Sequence, residues 1–312
     1  MKEAILLLNM GGPNNLNEVR LFLKNMFNDP RIISAPAPIR KMIAWWIIRS
    51  REEEATENYR RLGGKSPIIG YTQKLVEKLQ KATGIPVFFA MRYTPPFTEE
   101  VLKKLKSCER IYAIPLYPHH SVTTTESSFD ALFEAAEKIG IQEKIRTIDH
   151  YHLDRSYNAA VIDRIKEALA NEKAQQFELI FSAHGLPQKV IEKGDLYQKQ
   201  IEAQVAYLKK ALEEAGLDFA AVHLAYQSRV GPMAWTKPYL DETLKTLSGK
   251  RVLLYPISFT IDNSETEFEL DIEYREIAKT LGIESYIVAK APNDHPRFVE
   301  ALKGIWEGLR GT

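Results

Sequence analysis

One cysteine, Cys108, stands among 312 residues. An intrachain disulfide is therefore excluded, and so is a zinc or iron–sulfur site built from several thiolates of one chain. Such sparse cysteine usage fits a reducing compartment, and a cytoplasmic location is expected. An excess of charge of one sign is missing too: 42 lysines and arginines face 41 aspartates and glutamates, a formal net charge of +1. Without a broad basic field, nucleic acid is not expected as a partner. No run approaches the ~18 consecutive apolar residues that a membrane span needs, so contact with a membrane is expected to be peripheral at most. The opening Met1-Lys2-Glu3-Ala4-Ile5-Leu6-Leu7-Leu8 leads into Gly11-Gly12-Pro13 with no small-residue cleavage pattern. It reads as a strand, not a secretion signal.

Nucleotide signatures are absent as well. Gly64-Lys65-Ser66 looks like the tail of a phosphate-binding loop, but the glycine required five places earlier is Tyr59, and no strand pattern precedes it. Gly11-Gly12-Pro13 follows an apolar run without completing G-x-G-x-x-G. Neither H-E-x-x-H nor G-x-S-x-G occurs.

What the chain does contain is a regular alternation. Eight short runs rich in Val, Ile, Leu, Phe and Tyr recur: 4–10, 87–93, 110–118, 145–151, 177–183, 220–226, 251–259 and 285–291. Most are separated by segments with helical spacing. Near-continuous apolar runs alternating with amphipathic helices predict parallel sheets covered on both faces. Eight runs divide as four and four, with a turn at Asp154-Arg155-Ser156 between the halves. The expectation is an α/β protein of two similar doubly wound domains, 1–150 and 151–294, with a cleft between them and a last helix, 295–312, able to pack on the first. Ligands of such folds bind at the carboxyl ends of strands. The least ordinary residues lie there: Asn9-Met10-Gly11-Gly12-Pro13, Met91-Arg92-Tyr93, Tyr117-Pro118-His119-His120, Ser182-Ala183-His184-Gly185, Tyr226-Gln227-Ser228-Arg229 and the segment from Phe259 to Glu265.

His184, at a strand end and followed by glycine, is a candidate acid–base group, since imidazole titrates near neutral pH. The alternative is a core histidine bonded to backbone. Glu265, Glu269 and Glu273 recur every four residues, so a helix aligns them on one face. They are either a solvated acidic face behind an Asp262 or Asn263 cap, or a track of oxygen ligands for a divalent cation. The segment from Arg40 to Arg51 places Trp45, Trp46, Ile47 and Ile48 among cations, which suits core packing, a flat ligand or a membrane interface equally. Of His119 and His120, adjacent on a strand, at most one faces any site, and a structural role is favoured.

Together these segments resemble ferrochelatase, which inserts ferrous iron into a porphyrin. The resemblance rests on Leu179-Ile180-Phe181-Ser182-Ala183-His184-Gly185-Leu186-Pro187 with Gly194-Asp195-Leu196-Tyr197, and on Asn9 to Pro13. Tyr59 to Pro67, Met91-Arg92-Tyr93, Tyr226 to Met233 and Asp262 to Tyr274 match as well, in the family's order across nearly the whole chain. It implies two Rossmann-like domains around a porphyrin cleft. It further implies that His184 and Glu265 are catalytic, and that His184, Glu265, Glu269 and Glu273 form the metal track. Met10, Arg51, Ser66, Arg92, Tyr93, Tyr117 and Trp235 would contact porphyrin, and Trp45, Trp46, Ile47 and Ile48 would form a lip able to touch the membrane.

Three departures refine the expectation. Many members carry histidine where Asn263 stands, so any role of that imidazole is unavailable. The extension that carries cluster cysteines in some members is not present before Thr312, so no iron–sulfur cluster and no prosthetic group are expected. Members that act on coproporphyrin tend to have tyrosine where Met10 stands, so protoporphyrin IX is the expected substrate, with ferrous iron as the other and a monomer as the favoured state. The competing readings are a coproporphyrin or other divalent-metal chelatase and, outside enzymes, a tetrapyrrole-binding or haem-delivery protein. The last would need neither a base nor a cation track.

Overall fold

In the computed structural model, which describes residues 2–229, 231 and 233–311, each of the eight apolar runs overlaps a strand. Val230 and Pro232 of the Tyr226–Met233 motif lie outside the described residues. Strands β1 (Glu3–Asn9), β2 (Val87–Met91), β3 (Arg110–Pro115) and β4 (Ile145–Thr147) form one sheet in the order β2-β1-β3-β4. Strands β5 (Phe177–His184), β6 (Ala221–Gln227), β7 (Arg251–Pro256) and β8 (Ser285–Val288) form a second in the order β6-β5-β7-β8. Every pairing is parallel, so the α/β architecture of two four-stranded parallel sheets agrees with the sequence. Helices α1 (Val19–Phe27), α2 (Ala37–Arg61), α3 (Ile68–Thr83), α4 (Thr98–Leu105) and α5 (Ser127–Ile139) accompany the first sheet. Helices α6 (Arg155–Leu169), α7 (Gln188–Glu192), α8 (Tyr197–Glu214), α9 (Leu240–Lys245) and α10 (Tyr274–Thr280) accompany the second, and α11 (Pro296–Arg310) follows.

The strands are apolar throughout because both faces of each sheet are covered. In β1, Ala4, Leu6 and Leu8 join Leu102, Leu105 and Leu132 in one core cluster. Ile5 and Leu7, also buried, point to the opposite face. Each such leucine or isoleucine contributes roughly 1.5–3 kcal/mol by leaving water. Local signals end or begin the helices: the Asp154 carboxylate accepts from the Tyr157 N–H at 2.8 Å and starts α6.

The chain divides into two compact units. The first takes the residues up to Tyr117, Ser121–His150 and those from Val299 on; the second takes Pro118–His120 and Tyr151–Phe298. Polar bonds hold the short Pro118–His120 segment in the second unit. His119 Nε2 lies 2.7 Å from Gln204 Oε1, and the His120 N–H donates to Gln200 Oε1 at 2.7 Å. His119 is thus a buried structural residue.

Register relates the two sheets residue by residue. Leu8 pairs with Pro115 as Ser182 pairs with Pro256. Counting on, Met10 occupies the place of His184, and Gly11 that of Gly185. Likewise Leu8 pairs with Ala90 and Ser182 with Ala225, which makes Arg92 the counterpart of Gln227. Close neighbours explain both glycines: a Cβ on Gly11, which also has a φ of 87°, would lie 2.4 Å from the Thr94 side-chain Oγ1, and one on Gly185 would lie 2.7 Å from the Gln227 backbone carbonyl. A π-helical stretch follows the third strand in each unit, Val122–Glu126 leading into α5 and Glu265–Glu273 leading into α10. Such widened turns are rare and recur at functional sites.

Candidate active site

His184 is the last residue of β5, a central strand, so its side chain stands at the carboxyl edge of the second sheet. Its Nδ1 lies 2.8 Å from Glu265 Oε2, although the two residues are 81 positions apart. A carboxylate can only accept, so Nδ1 carries the hydrogen and Nε2 of the neutral ring keeps its lone pair. Burial works to lower the imidazole pKa. The adjacent Glu265, by charge and by hydrogen bond, with Glu269 behind it, outweighs burial and leaves the pKa raised above its ordinary 6.5. About a third of the side-chain surface of His184 stays accessible, so the ring is poised and reachable.

The acidic ladder is wound as a π-helix, not the ordinary helix that a four-residue spacing implies. With i→i+5 bonding a four-residue step falls short of a full turn instead of overshooting it, so the carboxylates still follow one side but drift in the opposite sense. Asn263 starts this stretch: its Oδ1 accepts from the Glu265 N–H at 2.8 Å and its Nδ2 donates to the Ile261 carbonyl at 3.1 Å. The side chain at this position is therefore used as a cap. Buried Asp262 accepts from the Ala291 N–H at 3.1 Å and from Asn293 Nδ2 at 2.6 Å, which anchors the segment.

Exposure rises only at the far end of the ladder. Glu265 and Glu269 are half-buried and Glu273 is exposed. Ser228 Oγ lies 2.8 and 2.6 Å from the two oxygens of Glu269, and Gln227 Nε2 lies 3.5 Å from one of them. Ser228 does this from a left-handed backbone, φ 65°, which a non-glycine residue seldom adopts. Burial first, then the neighbouring Glu265, pushes the Glu269 pKa up to about 7. Among the described residues, no group of three or more His, Cys, Asp or Glu side chains is arranged to hold a metal ion. The ladder is a series of separate carboxylates, with His184 and Glu265 as its one direct pair among the four predicted residues. Trp235 is brought beside the same loop, since it bridges Pro187 and its ring lies 3.5 Å from where a Gly185 Cβ would stand.

The first unit gathers other candidates. Met10 is half-buried and packs on the cluster of Val19, Phe22, Ala44, Ile48, Tyr59 and Tyr93. Arg92 does not present a free cation. Its Nη2 lies 2.9 Å from Asp29 Oδ2, and its Nε donates to Ser127. The Tyr93 hydroxyl also donates to Asp29, at 2.9 Å, so one buried carboxylate organises three side chains. Tyr117 is buried with its hydroxyl 3.2 Å from Ser128 Oγ. Ser66 is buried against Gly12, whose Cβ would collide with it at 2.5 Å, and Arg51 is exposed on α2.

The proposed lip separates by helical face. Trp45 and Trp46 are 51% and 62% exposed, edge to face at 5.0 Å, with Met42 and Ile39 exposed nearby. Ile48 is a correction: four residues after Ala44 on α2, it turns inward with it into the core, and Ile47 is intermediate. Sequence reading also passed over Asp29, Ser228, Ser258 and Tyr197 as contributors. Ser228 and Tyr197 lie within motifs, Ser258 lies only in the apolar run 251–259, and Asp29 carries no signal beyond preceding Pro30.

Comparisons with known proteins agree with one another. A family model described as Ferrochelatase matches residues 2–308. Relatives named ferrochelatase include those of Sulfurimonas denitrificans, 50% identical over 99% of both chains, and Nitratiruptor sp., 50% identical over 98% of this chain and 100% of the other. That of Helicobacter pylori is 42% identical, over 99% of this chain and 94% of its own. Among solved structures, the sirohydrochlorin chelatase SirB from Bacillus subtilis subspecies spizizenii in complex with cobalt superposes with a TM-score of 0.58 at 12% identity, over 100% of this chain and 97% of that one. SirB from Bacillus subtilis with Fe3+ gives 0.57 at 13%, over 99% and 96%. At such low identity the likeness concerns the fold alone.

Proposed function

The chain belongs to the ferrochelatase family, and we propose that it inserts ferrous iron into protoporphyrin IX with His184 as proton acceptor. The observation that carries this reading is the 2.8 Å pair of His184 Nδ1 and Glu265 Oε2. Metallation exchanges two pyrrole N–H protons for one Fe2+. Nε2 of neutral His184 takes a pyrrole proton, and the imidazolium so formed is stabilised by the hydrogen bond to Glu265. Glu269, with its pKa near 7, can receive a proton in turn. Carboxylates also replace water around Fe2+ without the hold of thiolates, which lets the ion move on.

Met10, Arg51, Ser66, Arg92, Tyr93, Tyr117 and Trp235 are assigned to the macrocycle. Within that group Arg51 is the free cation for a propionate, because the Arg92 charge is compensated by Asp29. Met10 supports protoporphyrin IX over coproporphyrin, since members that act on coproporphyrin tend to carry at this place a tyrosine, whose oxygen can ligate the iron. Trp45 and Trp46, with Met42 beside them, are proposed to rest on a lipid surface; no helix among the described residues is long and apolar enough to cross a membrane.

An anaerobic assay tests the reading. Protein and Fe2+ are mixed with protoporphyrin IX or coproporphyrin III, and the visible spectrum is followed. Metallation no faster than without protein would sink the enzymatic reading, and faster metallation of coproporphyrin would sink the assignment of Met10.

A further inference from the structure

The His184 backbone is enclosed by side-chain hydroxyls where its strand leaves the sheet. The last rung between β5 and β7 joins Ser182 and Pro256, and the Ile257 N–H still reaches the Ser182 carbonyl at 3.0 Å. Beyond it β7 leaves the sheet, so on that side His184 has lost its ladder partner. Two hydroxyls take over. The His184 N–H donates to Ser258 Oγ at 3.0 Å, Ser258 Oγ and Tyr197 Oη are 2.6 Å apart, and the Tyr197 hydroxyl donates to the His184 carbonyl at 2.9 Å.

The direction of every bond in this ring follows from elementary chemistry. A backbone N–H can only donate and a carbonyl can only accept. Ser258 Oγ therefore accepts from His184 and gives its hydrogen to Tyr197 Oη, which leaves the tyrosine hydrogen for the His184 carbonyl. Each hydroxyl donates once and accepts once. Tyr197 is itself fixed: it is the first residue of α8, its N–H donates to Asp195 Oδ1 at 2.8 Å, and its ring meets His119 edge to face at 5.8 Å. Burial holds its pKa far above the ordinary value, against the opposing bond with Ser258, so the phenol stays a donor. On the other side of β5, the Gly185 N–H donates to the Gln227 carbonyl at 2.8 Å. At the equivalent place in the first unit, the Met10 N–H simply meets the Asn9 side chain at 2.8 Å.

We infer that Tyr197 and Ser258 are positioning residues, whose hydroxyls close a hydrogen-bonded ring on the His184 backbone and so fix the line along which the imidazole meets Glu265 and the substrate. This rests on the role proposed for His184 above. The ring touches no reacting atom, so its removal should lower turnover while leaving porphyrin affinity unchanged.

Steady-state metallation by Tyr197→Phe, Ser258→Ala and Ser258→Thr, with His184→Ala alongside, tests it. Tyr197→Phe and Ser258→Ala should lose roughly ten- to a hundredfold in kcat, the scale set by sub-ångström misplacement of a reacting group. KM for protoporphyrin IX should stay within about twofold in both. Ser258→Thr, which keeps the hydroxyl, should recover most of kcat. If Tyr197→Phe does not fold, the contrast between alanine and threonine at 258 decides. Unchanged kcat in the ring variants beside an inactive His184→Ala overturns the inference alone, as does a loss confined to KM. Full activity in His184→Ala overturns the reading on which it rests.

Discussion

Met10 and His184 stand at equivalent places on two sheets of the same strand order, and their surroundings differ in kind. Around Met10 the polar groups compensate one another: Arg92 is paired with Asp29, and Glu126 in the π-helical stretch is paired with Arg31. Around His184 the equivalent π-helix is longer and brings carboxylates to the imidazole without a compensating cation from Lys or Arg in the contacts described. The Arg92 position is neutral Gln227 there, which turns toward Glu269. One frame thus carries an apolar, charge-compensated end and an end where an imidazole meets a carboxylate. The chemistry resides in side chains grafted at strand ends, not in the topology.

The sharpest way to break this comparison is to exchange the two ends. His184→Ala and Glu265→Gln should each lower the rate of metallation about 10²–10⁴-fold, the usual contribution of a positioned acid–base group. Fluorescence titration should still detect bound porphyrin. Placing the imidazole at the other end, by Met10→His in a His184→Ala background, should not restore turnover, because no Glu265 awaits it. Recovery of activity would mean that the two ends are interchangeable.

A different substitution probes what the compensated end is for. Asp29→Ala would strand the Arg92 guanidinium and release Tyr93 and Ser127. Removing one partner of a buried pair costs about 3–5 kcal/mol, which urea unfolding would register. A loss below about 1 kcal/mol would show that the Asp29 network adds little to stability.

Smaller effects follow from pH. The His184 pKa is raised, so as pH falls the ring gains a proton and can no longer accept one from the substrate. Activity should decline toward acid with a midpoint above 6.5. Glu269→Gln removes one of the charges that hold the proton, so the midpoint should move down; an upward move would contradict the geometry. The same linkage acts on stability: the pairing with Glu265 stabilises the folded state fully below about 6.5, and this is lost as pH rises through the raised folded value. Smallest is the effect of the exposed tryptophans. Trp45→Ser with Trp46→Ser should reduce co-sedimentation with anionic phospholipid vesicles several-fold, with kcat on detergent-dispersed porphyrin unchanged.

Much of this is legible in the sequence. The strands could be read because a strand buried on both faces must be apolar along its length, as in Ala4 to Leu8 and Leu179 to Ala183. His184 and Glu265 were legible as candidates from residue type and flanking motif. Their partners were not. Ser228 reaches Glu269 across 41 positions, and Tyr197 reaches Ser258 across 61. Serines, tyrosines and a lone aspartate before proline are common everywhere, and nothing in their types announces a partner. The winding of the ladder is hidden in the sequence for a related reason: repeats of four fit an ordinary helix and a π-helix almost equally well.

By itself the sequence determined the eight-strand α/β plan and the family, because burial imposes a periodicity and long ordered motifs survive in the linear chain. It also determined which side chains could do acid–base chemistry. Only the tertiary structure decided which of them meet. The 2.8 Å contact of His184 with Glu265, the neutralising of Arg92 by Asp29, the inward turn of Ile48 and the hydroxyl ring on the His184 backbone all depend on distances of a few ångströms between residues far apart in the chain. Hydrogen bonds and ion pairs act only at such distances, and the fold is what sets them.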